Sequence, residues 1–361
     1  MAALTALASA PCKLPGSTIN EAATDLNSLR KAADVVRKME IRAEVFPIAG
    51  SFTISRGART HAHVLRIILK EDSHTAQGEC VPYPRYDESV ESVTAQIKAA
   101  CSAIESGCNR EELQEIMPAG AARNAVDCAL WDLEAKKTGK TAAEIAGLAP
   151  LKPAITAFTI SLGDPEKMRG DAQKAANRAL LKVKLGGDGD AERIAAVREG
   201  APDSTLILDA NEAWREALFE PLMAAAAKAG AKLVEQPLPA GEDEILRTAA
   251  RPVPVCADES LHTRGELAML RERYDCVNIK LDKAGGLTEA LALQREARKL
   301  GFQIMTGCMV GTSLGMAPAM LIAQDAEFVD LDGPLLLAED REPPIEFPDS
   351  SIMPPPRALW G

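Results

Sequence analysis

Two lysines separated by one residue lie inside an apolar stretch, LLKVKLGG, which runs from residue 180 to residue 187. Alternate residues of a β-strand point to the same face, so Lys182 and Lys184 would share one face. The apolar residues around them favour a buried strand over an edge strand with two solvated lysines. A nearby ammonium lowers the pKa of an amine, so Lys182 would enable Lys184 to act as a general base. Lys280, at the end of the apolar segment CVNIK, is a second candidate acid–base residue.

Three carboxylates end apolar segments further along the chain: Asp209 in LILDAN, Glu235 in LVEQP and Asp258 in VCADES. Carboxylates that converge in a poorly solvated site repel one another and need a cation to balance them. Mg²⁺ suits an all-oxygen ligand set and leaves positions open for substrate oxygens, and Mn²⁺ is an alternative. Asp209 and Asp258 could instead cap the helices that follow. Three acids at matched positions favour the metal site.

A metal site between two lysines can support proton transfer next to a carboxylate. Mg²⁺ bound to a substrate carboxylate would stabilise the enediolate that forms when the α-proton leaves. If Lys184 and Lys280 face opposite sides of the α-carbon, one lysine removes the proton and the other returns it, which inverts that carbon. The four histidines all lie away from the predicted strand ends, so they offer no alternative base there.

The elements that must position these residues begin after Pro153, where short apolar segments recur about every 22 to 28 residues. This period is typical of strand–helix units, and eight such units form a barrel whose active site lies at the C-terminal strand ends. The helical pattern is weak after the eighth segment, so we predict an α/β fold, a modified TIM barrel of the (β/α)7β type. The predicted strands cover residues 155–160, 180–184, 205–209, 232–235, 253–258, 276–280, 302–307 and 328–332.

The barrel, residues 153–332, would be flanked by other parts of the chain. Residues 39–152 change from β-like alternation to helical periodicity, which predicts an α+β capping domain. The Pro-rich residues 333–361 would return as a tail to the capping domain. Residues 1–38 lack the basic start of a signal peptide, and a strand-like segment begins at Met39. We therefore expect residues 1–38 to be a dispensable N-terminal extension.

Composition argues against several classes of protein. The formal net charge of −11 disfavours a nucleic-acid-binding surface, and an aromatic content of 4% offers few platforms for stacking bases. No apolar run reaches the ~18 residues that a membrane-spanning helix needs. The eight cysteines form no CxxC pair and are typical of free thiols in a reducing compartment. We predict a cytoplasmic protein without nucleic-acid or membrane partners.

In their order along the chain, the segments KVK, LDAN, LVEQP, ADES and NIKLDKAGG resemble the enolase superfamily, in its muconate-lactonizing-enzyme-like branch. The resemblance covers about residues 39–345, and the helix AVDCALWDLEAKKTGK is similar to one in that family's capping domain. It implies a Mg²⁺-dependent enzyme that uses a lysine base on an enediolate. Since one fold supports many substrates, the resemblance alone does not fix the substrate.

Two features within this resemblance are similar to those of dipeptide epimerases that act on L-Ala-D/L-Glu. The first is the segment DLDGPLLL, in which Asp330 and Asp332 match the DxD pair that binds the free ammonium of the dipeptide. Two carboxylates suit a cationic group, whereas cyclic diacid substrates would not use them. The alternative is that both aspartates lie at a solvated strand end.

The second feature is the segment SFTISRGART, which resembles the family's mobile capping loop. Arg56 matches the arginine that meets the side-chain carboxylate of glutamate, and a guanidinium suits a carboxylate. Arg59 and Arg85 are alternatives for that role. Other residues that would line the substrate site are Thr159, Cys308 and Met309.

The resemblance thus implies epimerization of a small dipeptide, with a usual role in murein-peptide breakdown. Muconate cycloisomerases and o-succinylbenzoate synthases keep the same lysines and metal ligands, but Asp330 and Asp332 favour the epimerase. A non-catalytic barrel is a third alternative, and it would be expected to have lost one of the six lysines or carboxylates, all of which are present. Barrels of this family often assemble into homo-oligomers, and the residues themselves do not set the oligomeric state.

Overall fold

The computed structural model describes residues 37–361, so all but two residues of the predicted extension 1–38 lie outside the described residues. The described chain forms an antiparallel sheet with helices, then an eight-stranded parallel barrel, then a tail that returns to the first part. In the described range, none of the helices is long and apolar enough to cross a membrane.

The capping domain begins with a three-stranded antiparallel sheet of β1 (Arg37–Ile54), β2 (Gly57–Glu71) and β3 (His74–Cys80). On one face of β2, Leu65, Ile67 and Leu69 are buried because that face of the sheet packs on the helices of the domain. β1 and β2 are joined by two residues, so Arg56 lies at the tip of a long hairpin. The helices of the domain are Val90–Ala99, Cys101–Glu105, Arg110–Ile116, Ala121–Thr138 and Ala142–Ile145.

The barrel confirms the predicted fold class, because its eight parallel strands follow one another in chain order. A hydrogen bond from Ala157 N to Val329 O, 2.8 Å long, connects the first barrel strand to the last. After the eighth strand comes a 3₁₀ turn rather than an α-helix, as the (β/α)7β prediction requires. The barrel strands are β5 (Phe158–Ile160), β6 (Leu180–Lys184), β7 (Thr205–Asp209), β8 (Leu233–Glu235), β9 (Val255–Ala257), β10 (Cys276–Ile279), β11 (Gln303–Gly307) and β12 (Phe328–Asp330).

Helices cover the outside of the barrel, and apolar side chains such as Leu180, Ile207, Leu233 and Met305 fill the lower part of its interior. One unit differs from a regular strand–helix repeat, because only a 3₁₀ turn, Glu244–Arg247, follows β8. Because the lower interior is apolar, the polar residues inside the barrel lie at its mouth, at the C-terminal strand ends where such barrels place their active sites. The α-helices are Pro165–Lys174, Asp190–Gly200, Glu216–Lys228, Leu267–Leu270, Leu281–Ala284, Leu287–Lys299 and Ser313–Ala323.

The tail contacts both the barrel and the capping domain. Its strand β13 (Ser351–Ile352) pairs with β4 (Ala154–Ile155), which precedes the barrel. Further on, Trp360 donates its indole N–H to the carbonyl of Cys128 at 2.9 Å, in the long helix of the capping domain. The chain thus returns to the domain in which it began, and this contact buries Trp360.

A buried carboxylate at the interface between that helix and the barrel predicts a pH-dependent stability. Asp127 is fully buried, and burial raises the pKa of its carboxyl to about 6, although hydrogen bonds from Thr288 act in the opposite direction together with Arg123 and Arg110. The folded protein therefore holds this proton above the pH at which the unfolded chain, with a pKa near 3.8, releases it. This contribution to the free energy of unfolding is largest below pH ~4 and is lost as the pH rises to ~6.

Asp127→Asn is expected to remove this pH dependence. The variant loses one acceptor and so should be less stable than the parent, but the difference should narrow as the pH rises from 4.5 to 8. The change should be on the order of 2 kcal/mol, in proportion to the pKa shift. Urea unfolding of both proteins across this range measures it. A difference that is constant with pH would contradict the raised pKa of Asp127.

Candidate active site

The two lysines of the LLKVK segment lie inside the barrel and not on an edge strand. Lys182 and Lys184 have only 1% and 6% of their surface exposed. The register of the parallel strands pairs Lys184 with Asp209 and Asp209 with Glu235, so these groups form one row at the mouth. The alternative of two solvated lysines is therefore wrong.

Lys182 lies at the centre of a group of carboxylates. Its Nζ is 2.7 Å from both Glu235 Oε2 and Asp330 Oδ2, and 3.1 Å from Asp209 Oδ2. Burial acts to lower the pKa of Lys182, but attraction by Asp330, Glu235 and Asp209 outweighs it and raises the pKa well above its usual value. Lys182 is therefore a fixed cation that holds three strand ends together.

The other two predicted acid–base residues each pair with a different carboxylate. Lys184 Nζ is 2.6 Å from Asp209 Oδ2, and Lys280 Nζ is 2.7 Å from Asp258 Oδ2. A lysine that the sequence analysis missed, Lys283, contacts the other oxygen of Asp258 at 2.6 Å. Burial acts to raise the pKa of Asp258, but Lys280 and Lys283 outweigh it and hold the pKa well below its usual range.

The predicted metal ligands lie at neighbouring strand ends, and each is less than 2% exposed. Within residues 37–361 no three histidine, cysteine or acidic side chains are already arranged around a metal position, because lysines occupy the space between Asp209, Glu235 and Asp258. Glu235 Oε2 approaches Lys182 Nζ without hydrogen-bond geometry and has no other partner among the described residues. Nearby, Asn278 donates to Glu235 Oε1 at 2.7 Å, while its own Oδ1 is also without a partner in the described part of the chain.

The electrostatics of Glu235 fit a cation-binding role. Burial, and then repulsion by Asp209, raise the pKa of Glu235 to about 8, although Lys182 acts to lower it. A divalent cation next to Glu235 would favour its charged form and would give its unpaired oxygen a partner. The three carboxylates therefore fit an oxygen-ligated cation such as Mg²⁺.

The alternative role of helix cap is wrong for the two aspartates. The helix that follows Asp209 begins at Glu216, with Arg215 at the N-cap position. The turn that follows Asp258 begins after Thr263, which caps it. Both aspartates lie several residues before those positions and are free to serve the site.

A cavity of about 780 Å³ lies between the capping domain and the barrel mouth. Lys184 and Lys280 both line it, together with Asp258, Cys308 and Met309. The hairpin of the capping domain covers it from the other side, since the tip donates from the Ser55 hydroxyl to the carbonyl of Asn211 at 3.0 Å. A small molecule in this cavity would contact both lysines and be enclosed by the hairpin.

The predicted ammonium-binding residues lie beside the site but do not line this cavity. Asp332 accepts a hydrogen bond from Thr159 N at 2.7 Å, and burial, together with repulsion by Asp330, raises the pKa of Asp332 to about 7. Asp330 is bound to Lys182 through one oxygen, and its other oxygen, Oδ1, is buried without a partner among residues 37–361. Neither aspartate lies at a solvated strand end, because both are less than 5% exposed.

Three arginines line the cavity, and two of them are paired with carboxylates. Arg56 contacts Glu259 at 2.8 Å and Glu212 at 3.3 Å, and Arg85 binds Glu212 through two hydrogen bonds of 2.7 and 2.8 Å. Arg59 stacks on the Tyr83 ring, with its guanidinium carbon 4.8 Å from the ring centroid. Arg59 has no ion-pair partner in the part of the chain that the structure describes, so its charge is available to a ligand.

Some of the site residues that sequence reasoning missed could have been predicted from their positions in the sequence. Asn278 lies two residues before Lys280 in the predicted strand 276–280, so the same period of two that links Lys182 to Lys184 could have found it. Glu259 directly follows a predicted ligand in the ADES segment. Lys283 lies in a turn after the strand, where strand periodicity predicts nothing.

This fold and site define a barrel enzyme with two lysines beside a group of carboxylates, an arrangement suited to moving a proton. Residues 36–147 match the N-terminal domain of the mandelate racemase / muconate lactonizing enzyme family, and residues 167–358 match the enolase C-terminal domain-like family. The chain belongs to this family of the enolase superfamily, which confirms the resemblance drawn from its motifs.

Curated relatives include enzymes with two related activities. The L-Ala-D/L-Glu epimerase of Escherichia coli is 47% identical over 314 residues, which cover 86% of this chain and 98% of the relative. The N-acetyl-D-glutamate racemase of a Pseudoalteromonas species is 45% identical over 299 residues, 82% of this chain and 94% of the relative.

Solved structures similar to this chain contain dipeptides and metal ions. An enolase family member from Agrobacterium tumefaciens, with bound sodium and L-Ala-L-Glu, is 54% identical, with a TM-score of 0.89 and coverage of 90% of this chain and 100% of that one. The dipeptide epimerase of Methylococcus capsulatus, in complex with Mg and L-Arg-D-Lys, is 28% identical, with a TM-score of 0.83 and coverage of 90% and 99%.

Proposed function

We propose that this protein epimerizes the C-terminal residue of L-Ala-D/L-Glu dipeptides. The observation that carries the proposal is the placement of Lys184 and Lys280, which line one cavity from either side of three strand-end carboxylates. The relatives with the same family domains support it, because the Escherichia coli enzyme acts on this dipeptide.

The order of the strands gives the two lysines opposite positions. Lys184 ends β6 and Lys280 follows β10, and the strands that carry the carboxylates, β7 to β9, lie between them. A substrate whose α-carbon lies above the carboxylates therefore presents one face to each lysine. The neutral amine of one lysine accepts the α-proton, and the electron pair of the broken C–H bond passes into the substrate carboxylate as an enediolate. The ammonium of the other lysine then donates a proton to the opposite face, which inverts the α-carbon.

We propose that Asp209, Glu235 and Asp258 hold Mg²⁺, with Mn²⁺ as an alternative. When bound, the ion supplies the positive charge that stabilises the enediolate. The chain's own lysines orient these ligands, because Lys182 contacts Asp209 and Glu235 while Lys283 contacts Asp258. Dipeptide epimerase structures that contain Mg support the choice of metal.

For the amino end of the dipeptide we propose Asp330 and Asp332, with Thr159, as the binding group. The support is a buried carboxylate oxygen, Asp330 Oδ1, which has no partner within the described part of the chain, next to an aspartate whose pKa is raised to about 7. An ammonium there would satisfy the oxygen and favour the charged form of Asp332. Cys308 and Met309 line the cavity and would contact the body of the substrate.

The variant Asp332→Asn is expected to raise KM for L-Ala-L-Glu by about 10- to 100-fold, because it removes a charge that faces an ammonium. Steady-state kinetics on L-Ala-L-Glu and on N-acetyl-L-glutamate, which has no ammonium, separate this effect from general damage. KM for the acetylated compound should change little. Equal increases for both compounds would show that Asp332 does not read the ammonium.

The same pair of substrates tests a second candidate function, the racemization of N-acylated glutamate. It is favoured by the relative from Pseudoalteromonas and by the ion pair between Asp330 and Lys182, which already balances one of the two aspartates. The cycloisomerase alternatives have less support, because a cyclic diacid has no cationic group for Asp330 and Asp332 and the two curated relatives described above are named for glutamate-containing substrates.

The side-chain carboxylate of glutamate needs a cation, and the structure bears on which arginine supplies it. Arg56 was favoured by the resemblance, but Glu259 and Glu212 already bind it, whereas Arg59 lines the cavity and pairs with no carboxylate of residues 37–361. We propose Arg59 as the main partner of that carboxylate and Arg56 as the residue that fastens the hairpin tip to the barrel.

Arg59→Gln is therefore expected to raise KM for L-Ala-L-Glu by about tenfold or more and to leave KM for L-Ala-L-Leu nearly unchanged. Arg56→Gln should raise KM for both dipeptides by similar factors, since it loosens the hairpin over any substrate. Kinetics with the two dipeptides measure the contrast. If Arg56→Gln alone discriminated against the glutamate side chain, Arg56 would be its partner.

The proposed dipeptide substrate suggests a metabolic role and a cellular location for the enzyme. We propose a role in the breakdown of murein peptides, which contain L-Ala-D-Glu, and a cytoplasmic location. The location is supported by the seven cysteines of the described chain, all of which are free thiols. A homo-oligomer stays a prediction that size-exclusion chromatography with light scattering would test.

The first test is proton NMR of L-Ala-L-Glu with enzyme and Mg²⁺ in D₂O. The glutamate α-proton signal should disappear while the signals of L-Ala-D-Glu appear. A parallel sample with N-acetyl-L-glutamate tests the second candidate, and enzyme carrying both Lys184→Ala and Lys280→Ala is the control. Exchange of the acetylated compound alone would replace the dipeptide proposal, and no exchange of either compound would exclude both.

A further inference from the structure

We propose that one face of the capping-domain helix Ala121–Thr138 positions Lys280, and not Lys184, for proton transfer. The inference rests on the proposed function, because it concerns the lysine that serves one face of the α-carbon. The face consists of Arg123, Asn124 and Asp127, and we call these residues the clasp. All three are buried against the turn that follows Lys280.

The first contact of the clasp is two residues from Lys280. The carbonyl of Lys280 accepts hydrogen bonds from the N–H groups of Lys283 and Ala284, at 3.1 and 3.0 Å, so the lysine is the first residue of a helical turn. Within that turn, Asp282 Oδ1 accepts from Asn124 Nδ2 at 2.8 Å and from Val81 N at 3.1 Å. The capping domain thus fixes the turn on which the backbone of Lys280 depends.

The second contact closes the far end of the same turn. Arg123 donates from Nη2 to the carbonyl of Ala284 at 2.8 Å and from Nε to the carbonyl of Gly285 at 2.9 Å. Arg123 is only 6% exposed, and its guanidinium donates hydrogen bonds to these carbonyls and to the carbonyl of Met117 in its own domain. Hydrogen bonds from a buried guanidinium are among the stronger ones, so Arg123 fixes the far end of the turn while Asn124 fixes the end near Lys280.

The third contact involves the helix that follows the turn. Asp127 Oδ2 accepts from Thr288 N at 2.9 Å, in the first turn of the helix Leu287–Lys299. Its other oxygen, Oδ1, accepts from the side-chain amide of Gln114 at 3.0 Å. Asp127 is therefore itself fixed and ties the end of the segment to the capping domain.

Two glycines indicate that the close approach is built into the chain. Gly285 and Gly286 have φ values of +80° and +112°, which favour glycine. A Cβ on Gly285 would lie 2.6 Å from Arg123 Nε, and one on Gly286 would lie 2.5 Å from Asp127 Oδ2. Only glycine lets this backbone approach the clasp so closely, so the KAGG segment and the helix are fitted to each other.

Lys184 is held in a different way, because the loop after it is fixed within the barrel and the capping domain approaches it through the Phe52 ring, whose centroid is 5.6 Å from Lys184 Nζ. The loop after it is fixed by Asp190, which accepts from Gly187 N at 2.7 Å and from the indole N–H of Trp214 at 2.9 Å. Both donors belong to the barrel. A fault in the clasp should therefore misplace one catalytic amine and leave the other in position, and misplacement of about 1 Å can slow a proton transfer by orders of magnitude.

The test compares how fast each epimer of the dipeptide exchanges its glutamate α-proton in D₂O. Lys280→Ala and Lys184→Ala first identify which epimer each lysine serves, because each variant loses exchange of one epimer. In Asn124→Ala, exchange of the epimer served by Lys280 should fall about tenfold or more, while that of the other epimer changes less than about threefold. Trp214→Phe is the matched control, and it should give the opposite bias.

A conservative variant separates positioning from general damage. Asp282→Ala should reproduce the bias of Asn124→Ala, whereas Asp282→Asn keeps the accepting oxygen and should restore both rates to near the parent values. If Asp282→Ala fails to fold, Asn124→Ala and Asp282→Asn carry the test. Equal losses for both epimers, or no loss in Asn124→Ala, would overturn the inference. If the parent enzyme exchanges neither epimer, the proposed function fails, and the inference fails with it.

Discussion

Epimerization of L-Ala-L-Glu is expected to fall by about 10³-fold or more when either Lys184 or Lys280 is replaced by alanine. Among residues 37–361, each substitution removes the only amine on its side of the three carboxylates that lines the cavity. One lysine alone can take a proton and return it only to the same face. Each variant should therefore still exchange the α-proton of one epimer with solvent, and the two variants should retain exchange of opposite epimers.

The matched control replaces Lys280 with arginine. The guanidinium preserves the positive charge opposite Asp258 but does not give up its proton at neutral pH, so it cannot act as a base. Lys280→Arg should be as inactive in epimerization as Lys280→Ala. NMR in D₂O follows exchange and inversion together. A variant of either lysine that inverts the α-carbon at the parent rate would contradict the two-base mechanism.

Local periodicity was sufficient to predict the strands and the row of groups at their ends. A barrel strand places alternate side chains inside, so KVK and NIK each identify an inward face from sequence alone. At the strand ends of an apolar barrel a buried carboxylate is costly unless a partner balances its charge, so a carboxylate there indicates a functional site. The eight strands themselves were predicted from apolar segments that recur every 22 to 28 residues, and the structure confirms their order in one parallel sheet.

Contacts between distant segments could not be predicted in the same way. Arg56 and Arg59 are three residues apart on one hairpin, and their different surroundings depend on Glu259 and Glu212, which come from other parts of the chain. Lys283 reaches Asp258 only because a turn folds back over the barrel mouth. Sequence spacing within a segment carries no information about such partners, so their identification needs the assembled structure.

The central position of Lys182 is another result of assembly. The sequence suggested that it acts on its neighbour Lys184, yet in the structure it contacts carboxylates from three strands, including Asp330 of the last one. Asp330 is thereby connected to the carboxylates of the proposed metal site. The groups proposed to bind the ammonium and the metal thus both contact the ammonium of Lys182. A substitution at one of these two sites would therefore alter the electrostatics of the other.

The variant Glu235→Gln is expected to abolish Mg²⁺ binding and to lower kcat/KM by about 10³-fold or more, since a bound ion contributes several kcal/mol to stabilising the enediolate. Glu235 is the most selective of the three ligands to test, because its described contacts are Lys182 and Asn278 and not the catalytic lysines. Asp209 and Asp258, by contrast, each pair with a catalytic lysine, so their loss would disturb proton transfer directly.

Thermal unfolding with and without MgCl₂ measures the metal independently of activity. A ligand that binds only the folded state at 100 times its Kd stabilises it by about 2.7 kcal/mol, so Mg²⁺ should raise the Tm of the parent protein and not that of Glu235→Gln. Glu259→Gln is the control, because Glu259 follows Asp258 and lines the cavity but is not a proposed ligand, and it should keep the Mg²⁺-dependent rise. Removal of the metal with EDTA should abolish epimerization by the parent enzyme, and added Mg²⁺ should restore it. If Glu235→Gln kept the full Mg²⁺-dependent rise in Tm, the ion would have to lie elsewhere, and the unpaired oxygen of Glu235 would need another explanation.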